Sequence, residues 1–133
     1  MPLTYEEALT VIAGAHEQAR TMGIRITVAI VDEAGLLKAL GRMEGAPPLS
    51  AQIAESKAVG SAVWHRNGDQ LAELQKERPA FFAQVDKLTR LPIMPGDGSA
   101  LIRRGDDILG SVGVSGGRSD EDRVCAEAGL ALL

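Results

Sequence analysis

The sequence has few cysteines and no long apolar run, and both absences limit the kind of protein it can be. Cys125 is the only cysteine among 133 residues, which excludes an internal disulfide and a cysteine metal cluster. No apolar run is long enough to cross a membrane. The first residues enter a helix pattern directly, without the pattern of a secretory signal peptide. We therefore expect a cytoplasmic protein with no membrane partner.

Aromatic residues and positive charge are also scarce. Aromatics make up 3% of the chain, so its core has to be built from aliphatic side chains and alanine. Fourteen lysines and arginines stand against eighteen acidic residues, a net charge of −4, which argues against nucleic acid as a partner. The sequence also lacks a P-loop, a dinucleotide-binding fingerprint and a nucleophile elbow. None of these common binding or catalytic classes is therefore indicated.

The length fits a single domain covering residues 1–133. Apolar periodicity switches between helix and strand along the chain and predicts helix, hairpin, helices, hairpin, helix. The predicted elements are a helix at 5–22, strands at 24–31 and 36–43, helices at 50–66, 70–77 and 80–88, strands at 99–104 and 108–114, and a helix at 120–133. Hairpins pair antiparallel, so the fold class is α+β, with helices packed on one sheet.

A glycine-rich stretch follows the second hairpin turn, from Ile108 to Gly117. Gly110 and Gly113 leave room for a close approach of a helix, a second backbone or a ligand. Gly116 and Gly117 then turn the chain into a helix whose acidic first turn suits the positive end of the helix dipole. Such a turn can present backbone N–H groups to an anion. Glycine turns are common, however, and a plain strand-to-helix connection without a ligand is the alternative that the sequence favours.

Two cations are candidates for chemistry. Lys57 stands on an otherwise small and apolar helix face, where it can act as a base, bind a carboxylate, or extend its ammonium to water. Arg42 lies near the end of a predicted strand and can clamp a carboxylate or pair with a neighbouring acid. Lys57 and Arg42 are therefore the predicted catalytic residues if the protein is an enzyme.

The only histidines, His16 and His65, are the candidate ligands of an iron atom. Haem sites often use one histidine, so either residue alone is sufficient. His65 follows Trp64 near a helix C-terminus, where a capping role is the alternative. His16 lies beside the apolar stripe of the first helix, where a packed structural histidine is the alternative. Their separation does not match a zinc motif.

Together these segments resemble the GlcG/HbpS family, which includes the C-terminal domain of PduO-type proteins. The matching segments are 31–35, 42–46, Ser50 with Ala54, Lys57–Ala58, and 108–117 with Asp122 and Ala126. The resemblance implies a single antiparallel sheet of about five strands flanked by helices, profilin-like or PAS-like in appearance. It also implies assembly as dimers or larger oligomers.

The resemblance allows two functions. Family members have been linked to haem binding, to corrinoid-related operons and to glycolate utilisation, and some relatives resemble cofactor-free enzymes on small acids. The first hypothesis is a domain that binds a small anion, haem or another tetrapyrrole between the Lys57 helix and the glycine-rich strand. The predicted pocket is lined by Arg42, Met43, Lys57, Gly113, Ser115, Gly116 and Gly117. The alternative is a cofactor-independent hydrolase, deaminase or tautomerase for a small unsaturated carboxylic acid in a catabolic pathway.

Leftover apolar surface predicts self-association. The last predicted helix has Val124, Ala128 and Leu132 on one face, and the first helix is rich in alanine. One sheet covers only one stripe of each helix, and apolar surface left over on a folded domain usually marks an interface. We therefore expect a symmetric homo-oligomer, a dimer at least.

Overall fold

The computed structural model describes all residues from 1 to 133 and contains five helices and four strands. The helices are α1 (Tyr5–Met22), α2 (Leu49–Trp64), α3 (Gly68–Glu77), α4 (Pro79–Asp86) and α5 (Ser119–Leu130). The strands are β1 (Thr27–Asp32), β2 (Leu37–Arg42), β3 (Ser99–Arg104) and β4 (Asp107–Ser115). Every predicted element is present, and differences are confined to the element ends.

The four strands form one antiparallel sheet in the order β2-β1-β4-β3. The α+β class and the single antiparallel sheet are thus confirmed, but the expected count of about five strands is corrected to four. Each hairpin supplies two strands, and the chain between the hairpins, from 43 to 98, forms three helices and their loops. No extended segment remains to add a fifth strand at either edge.

Helix α1 begins and ends where local sequence signals place it. The Glu7 N–H donates to Thr4 Oγ1 and the Thr4 N–H donates to Glu7 Oε1, both at 3.0 Å, which completes a capping box. Gly23 adopts a φ of 72°, a left-handed conformation that favours glycine and ends the helix. These caps fix where α1 begins and ends, and its apolar residues Ala8, Val11, Ile12, Ala15 and Ala19 face the core.

One face of the sheet carries the main aliphatic core. Alternation along the strands points Val28, Ile30 and Val112 toward α1 and α5. Sixteen buried residues form this cluster: Leu3, Ala8, Val11, Ile12, Ala15, Ala19, Ile26, Val28, Ile30, Met43, Ile102, Leu109, Val112, Val114, Cys125 and Ala126. We call this the aliphatic face.

The opposite face is covered by α2 and is built from small and hydroxyl side chains. Ala29 and Val31 of β1 pack against Ala54, Ala58 and neighbouring residues of α2. A Cβ added at Gly113 would lie 2.1 Å from the carbonyl oxygen of Ala54, so the helix backbone rests directly on β4. We call this the α2 face, and its close approach requires glycine at that position.

Helices α3 and α4 follow α2 in the chain and pack around a small cluster of their own. Leu71, Phe82 and Ile93 make a separate buried cluster, with Trp64 stacked on Phe82 at a ring separation of 5.4 Å. None of the helices has the length and apolar content that a membrane crossing requires.

Candidate functional site

Lys57 lies at the contact between α2 and β4, where its ammonium is fully engaged. Its Nζ donates to the Val114 carbonyl at 2.8 Å and to Asp122 Oδ2 at 3.3 Å. The residue is only 8% exposed. The sequence left open whether the Lys57 ammonium extends to water or is held inside the protein. The structure shows that it is held inside.

Asp122 is the partner that the sequence does not reveal. Its Oδ1 accepts the Gly117 N–H at 2.9 Å while Oδ2 faces Lys57, so one carboxylate ties α5 to both α2 and the glycine turn. Burial raises the pKa of the Asp122 carboxyl, and the Lys57 ammonium opposes that effect. The acidic run was interpreted as a set of helix-dipole partners. The sequence does indicate that such an acid exists, because a lysine on a small, apolar helix face needs a buried acidic partner.

The glycine turn uses its N–H groups within the chain. Gly117 donates to Asp122, and the Arg118 N–H donates to Glu121 Oε1 at 2.8 Å. A Cβ at Gly116, whose φ is 134°, would lie 2.3 Å from the Arg25 carbonyl oxygen. The Gly117 and Arg118 N–H groups are therefore not free for an external anion, because the first turn of α5 supplies their acceptors.

Arg42 and Met43 lie apart from Lys57. Arg42 and Ser115 both pair with Thr27, from opposite sides, so two strand spacings of roughly 10 Å separate their backbones. The Arg42 side chain is exposed and donates weakly to the Ala46 carbonyl at 3.4 Å. Met43 belongs to the aliphatic face, where its sulfur accepts the Ile26 N–H at 3.5 Å. The structure brings Lys57 together with Gly113, Ser115 and Gly117 but not with these two residues.

The pocket predicted between α2 and β4 is absent from the single chain. The backbones meet at Gly113, and the Ser111 hydroxyl donates to the Ala58 carbonyl across the same contact. The surface concavities lie elsewhere. Of the helix, second backbone or ligand for which Gly113 leaves room, the structure shows the helix.

His16 lies in a groove between α1 and the edge strand β2. Its Nε2 is 3.0 Å from the Gly41 carbonyl oxygen, and Nδ1 makes no hydrogen bond within the chain. Burial lowers the pKa of the half-buried His16 ring, against the opposing effect of the Gly41 carbonyl, so the ring is neutral at pH 7. With the proton on Nε2 toward Gly41, Nδ1 keeps a lone pair for a ligand.

A concavity of about 260 Å³ lies nearby and is lined by Arg20, Gly23, Ile24, Arg25 and Met43, with His16 outside the lining. Arg20 is one helical turn after His16, and Met43 is two residues after Gly41, so His16 lies roughly 6 Å from its lining. Arg25 is exposed and has no acidic partner. We call these residues, with His16 and Gly41, the α1–β2 groove.

His65 is placed differently. It follows α2 in a left-handed conformation, with φ at 55°, and its backbone N–H caps the helix by bonding to the Ser61 carbonyl. Its side chain is exposed and lines none of the concavities. His65 is thus the C-terminal cap residue of α2 through its backbone. No group of three or more His, Cys, Asp or Glu side chains is arranged to hold a metal ion.

Comparisons of sequence and of structure with known proteins find members of the same family. A family model described as haem degrading protein HbpS-like matches residues 3–131. The protein GlcG of Escherichia coli strain K12 is 30% identical over 113 residues, which are 85% of this chain and 81% of GlcG. The crystal structure of HbpS is 28% identical with a TM-score of 0.89, and the match covers 100% of this chain and 91% of that one.

A further solved structure, that of the PduOC:heme complex, is similar in fold. Its TM-score is 0.90 at 22% identity, and the match covers 100% of this chain and 96% of PduOC. The similarity extends over the whole sheet and all five helices, since none of this chain is left outside the match.

Proposed function

Since the chain belongs to the HbpS-like family, we propose that it binds haem and that His16 holds the iron. The description of the family names haem, and PduOC was solved with haem bound. The observation that carries the proposal is the state of His16: half-buried, neutral, and with one ring nitrogen unbonded. One histidine is enough for a haem iron.

The surroundings of His16 fit this ligand. A histidine that binds a metal almost always donates its other ring N–H to an acceptor such as a backbone carbonyl, as His16 does to Gly41. Arg25, without an acid of its own, supplies a charge for a propionate, as does Arg20 beyond its exposed pair with Glu17. The groove therefore offers both an iron ligand and partners for the carboxylates.

The size of the groove indicates that one chain covers only part of a haem. At about 260 Å³ its concavity is below the usual range of ligand pockets, about 300–1,000 Å³. A second copy of the chain could cover the rest of the haem. We propose a homo-oligomer, supported by the exposed apolar residues Tyr5 and Leu9 of α1 and Val124 of α5.

Haem titration of the purified chain, followed in the Soret region, tests the iron ligand. We expect a shifted Soret band that is lost in His16→Ala and kept in the matched control His65→Asn. Asparagine is chosen for the control because it tolerates the left-handed backbone of His65. A band lost only in the His65 variant moves the site to α2, and a band unchanged in both excludes histidine ligation.

Light scattering at micromolar concentration tests assembly. We expect a mass of at least twice the 14.0 kDa of the chain, and a single-chain mass that does not change on concentration contradicts the oligomer.

The second proposal, a cofactor-independent enzyme on a small unsaturated acid, is favoured by one observation. Lys57 and Asp122 form a buried acid–base pair in which burial raises the carboxyl pKa, a common property of catalytic groups. Arg42, exposed on the same sheet face, remains the proposed carboxylate clamp. Small keto and enamine acids should then be turned over, and Lys57→Met should abolish turnover in chains that stay folded by circular dichroism. Full activity in that variant removes Lys57 from the reaction.

A further inference from the structure

A second concavity lies on the side of the molecule away from His16. It has a volume of about 300 Å³ and is lined by Gln52, Glu55 and Ser56 of α2 and by Leu91 and Pro92 of the segment after α4. Helices α1 and α2 pack on opposite faces of the sheet, so the sheet separates this concavity from the α1–β2 groove. We call it the α2 outer pocket.

Ser56 is the polar group that sets this pocket apart. It is only 8% exposed, and its hydroxyl makes no hydrogen bond within the chain. Two other buried serines of α2 are bonded: Ser50 to Thr27 at 2.7 Å and Ser61 to Ser99 at 2.9 Å. Trp64 Nε1 is the only fully enclosed side-chain N or O atom without a partner, so the Ser56 hydroxyl is open to the pocket and can bond solvent or a ligand there.

Glu55 lines the pocket, and its neighbour Arg90, which is not a lining residue, balances its charge. Arg90 Nη2 donates to Glu55 Oε2 at 2.8 Å and to the Gly35 carbonyl at 2.9 Å. This leaves Glu55 Oε1 and the other N–H groups of Arg90 without partners in the chain. Gln52 adds an amide, and Leu91 with Pro92 forms an apolar wall. A carboxylate ligand would meet the charge of Glu55, and a cation would meet that of Arg90.

We propose that the α2 outer pocket binds a small, uncharged molecule that carries an amide group on an apolar body. The amide supplies a donor for Glu55 Oε1 and an acceptor for Arg90 or Ser56, and the apolar body packs on Leu91 and Pro92. The volume suits a ligand of about a dozen non-hydrogen atoms, at the small end of pocket ligands.

Benzamide and benzoate are matched probes, nearly equal in shape and different in charge. We expect benzamide to shift the backbone NMR signals of Glu55, Ser56 and Leu91 saturably in the full chain, and benzoate to bind about tenfold or more weakly because it faces Glu55. Ser56→Ala should weaken benzamide roughly fivefold, the effect of one neutral hydrogen bond. Glu55→Gln should narrow the preference for benzamide over benzoate.

Glu73→Gln is the control, since Glu73 is exposed on α3, pairs with Lys76 and does not line the pocket. Its affinity for benzamide should equal that of the wild-type chain. The proposal is overturned if benzamide produces no saturable shift at these residues, if benzoate binds as tightly, or if folded Ser56→Ala keeps the wild-type affinity.

Discussion

The two faces of the sheet are held by different kinds of contact. On the aliphatic face, α1 and α5 pack mostly small residues against branched side chains of the sheet such as Val28, Ile30 and Val112. On the α2 face, small residues let the helix backbone approach β4, and hydroxyls and one ion pair bond across the contact. The same four strands therefore carry one face stabilised by burial of apolar area and one that depends on fit and pairing.

The difference teaches how a chain with 3% aromatics builds two tight layers. Branched aliphatic side chains tolerate some exchange, because neighbours can repack around a changed volume. Backbone contact and a buried ion pair tolerate less, because a carbonyl cannot move aside and a charge cannot lose its partner. We expect the α2 face to be the more sensitive of the two.

The largest effect should follow Lys57→Met, which leaves the Asp122 charge buried without its partner. Breaking a buried pair in this way costs about 3–5 kcal/mol of the free energy of unfolding at pH 7. Lys76→Met is the matched control, because its pair with Glu73 is exposed, and it should have almost no effect. Urea denaturation measures both variants. Equal stabilities would show that the ion pair does not hold the α2 face.

The pH dependence of the Lys57→Met variant sharpens the same point. A carboxyl whose pKa is raised by folding stabilises the fold at low pH and loses that contribution as pH rises through its folded value. The deficit of the variant should therefore shrink as pH falls from 7 toward the ordinary carboxyl pKa of 3.8. Adding Asp122→Asn should remove most of this pH dependence. A deficit that is constant with pH contradicts the role given to Asp122.

Gly113→Ala should destabilise the fold less than Lys57→Met does. Gly41→Ala adds the same methyl group on the α1 side of the sheet, so the two variants compare the two faces. The added Cβ meets the Ala54 carbonyl at 2.1 Å in the first variant, but side-chain atoms of Ile12 at 2.8 Å and His16 at 2.9 Å in the second. Overpacking costs about 1–3 kcal/mol, and we expect Gly113 at the upper end and Gly41 at the lower. The reverse order in urea denaturation would place the stiffer contact on the α1 side.

The smallest effects should come from neighbouring residues of β4 that face opposite ways. Val112→Ala removes two methyl groups from the aliphatic face and should cost about 2 kcal/mol. Ser111→Ala removes a hydroxyl that donates to the Ala58 carbonyl and should cost about 1 kcal/mol. Thermal unfolding ranks the two. A larger loss for Ser111 would show that hydroxyl bonding outweighs apolar burial within one strand.

Local signals predicted the elements well, and long-range partners remained hidden. The capping residues of α1, which are Thr4 and Glu7 at its start and Gly23 at its end, each contact only the adjacent helical turn. Both ends of α1 could therefore be predicted from the sequence. Lys57 could be singled out because it breaks an apolar face. Its partner Asp122 is 65 positions away and lies in an acidic run that suits a helix start equally well.

The candidate site was harder to predict for a physical reason. Gly113 signals close approach, but the sequence does not say whether a ligand or a helix fills the space. His16 and His65 likewise differ only in tertiary surroundings, a half-buried position beside β2 for one and an exposed helix end for the other. Met43 was predicted to line the pocket beside Lys57. It lies on the opposite, aliphatic face of the sheet, and only the strand register reveals this.

The Lys57–Asp122 pair also sets an order of events during synthesis. Helix α2 leaves the ribosome first, and its lysine has no buried partner until residue 122 has been made, 65 residues later. At about 5–20 residues per second this is a delay of several seconds. Over that interval β1 also lacks β4, its partner in the centre of the sheet. Until α5 emerges, α2 can pack on β1, which precedes it in the chain, but the Lys57 ammonium stays without its buried acid.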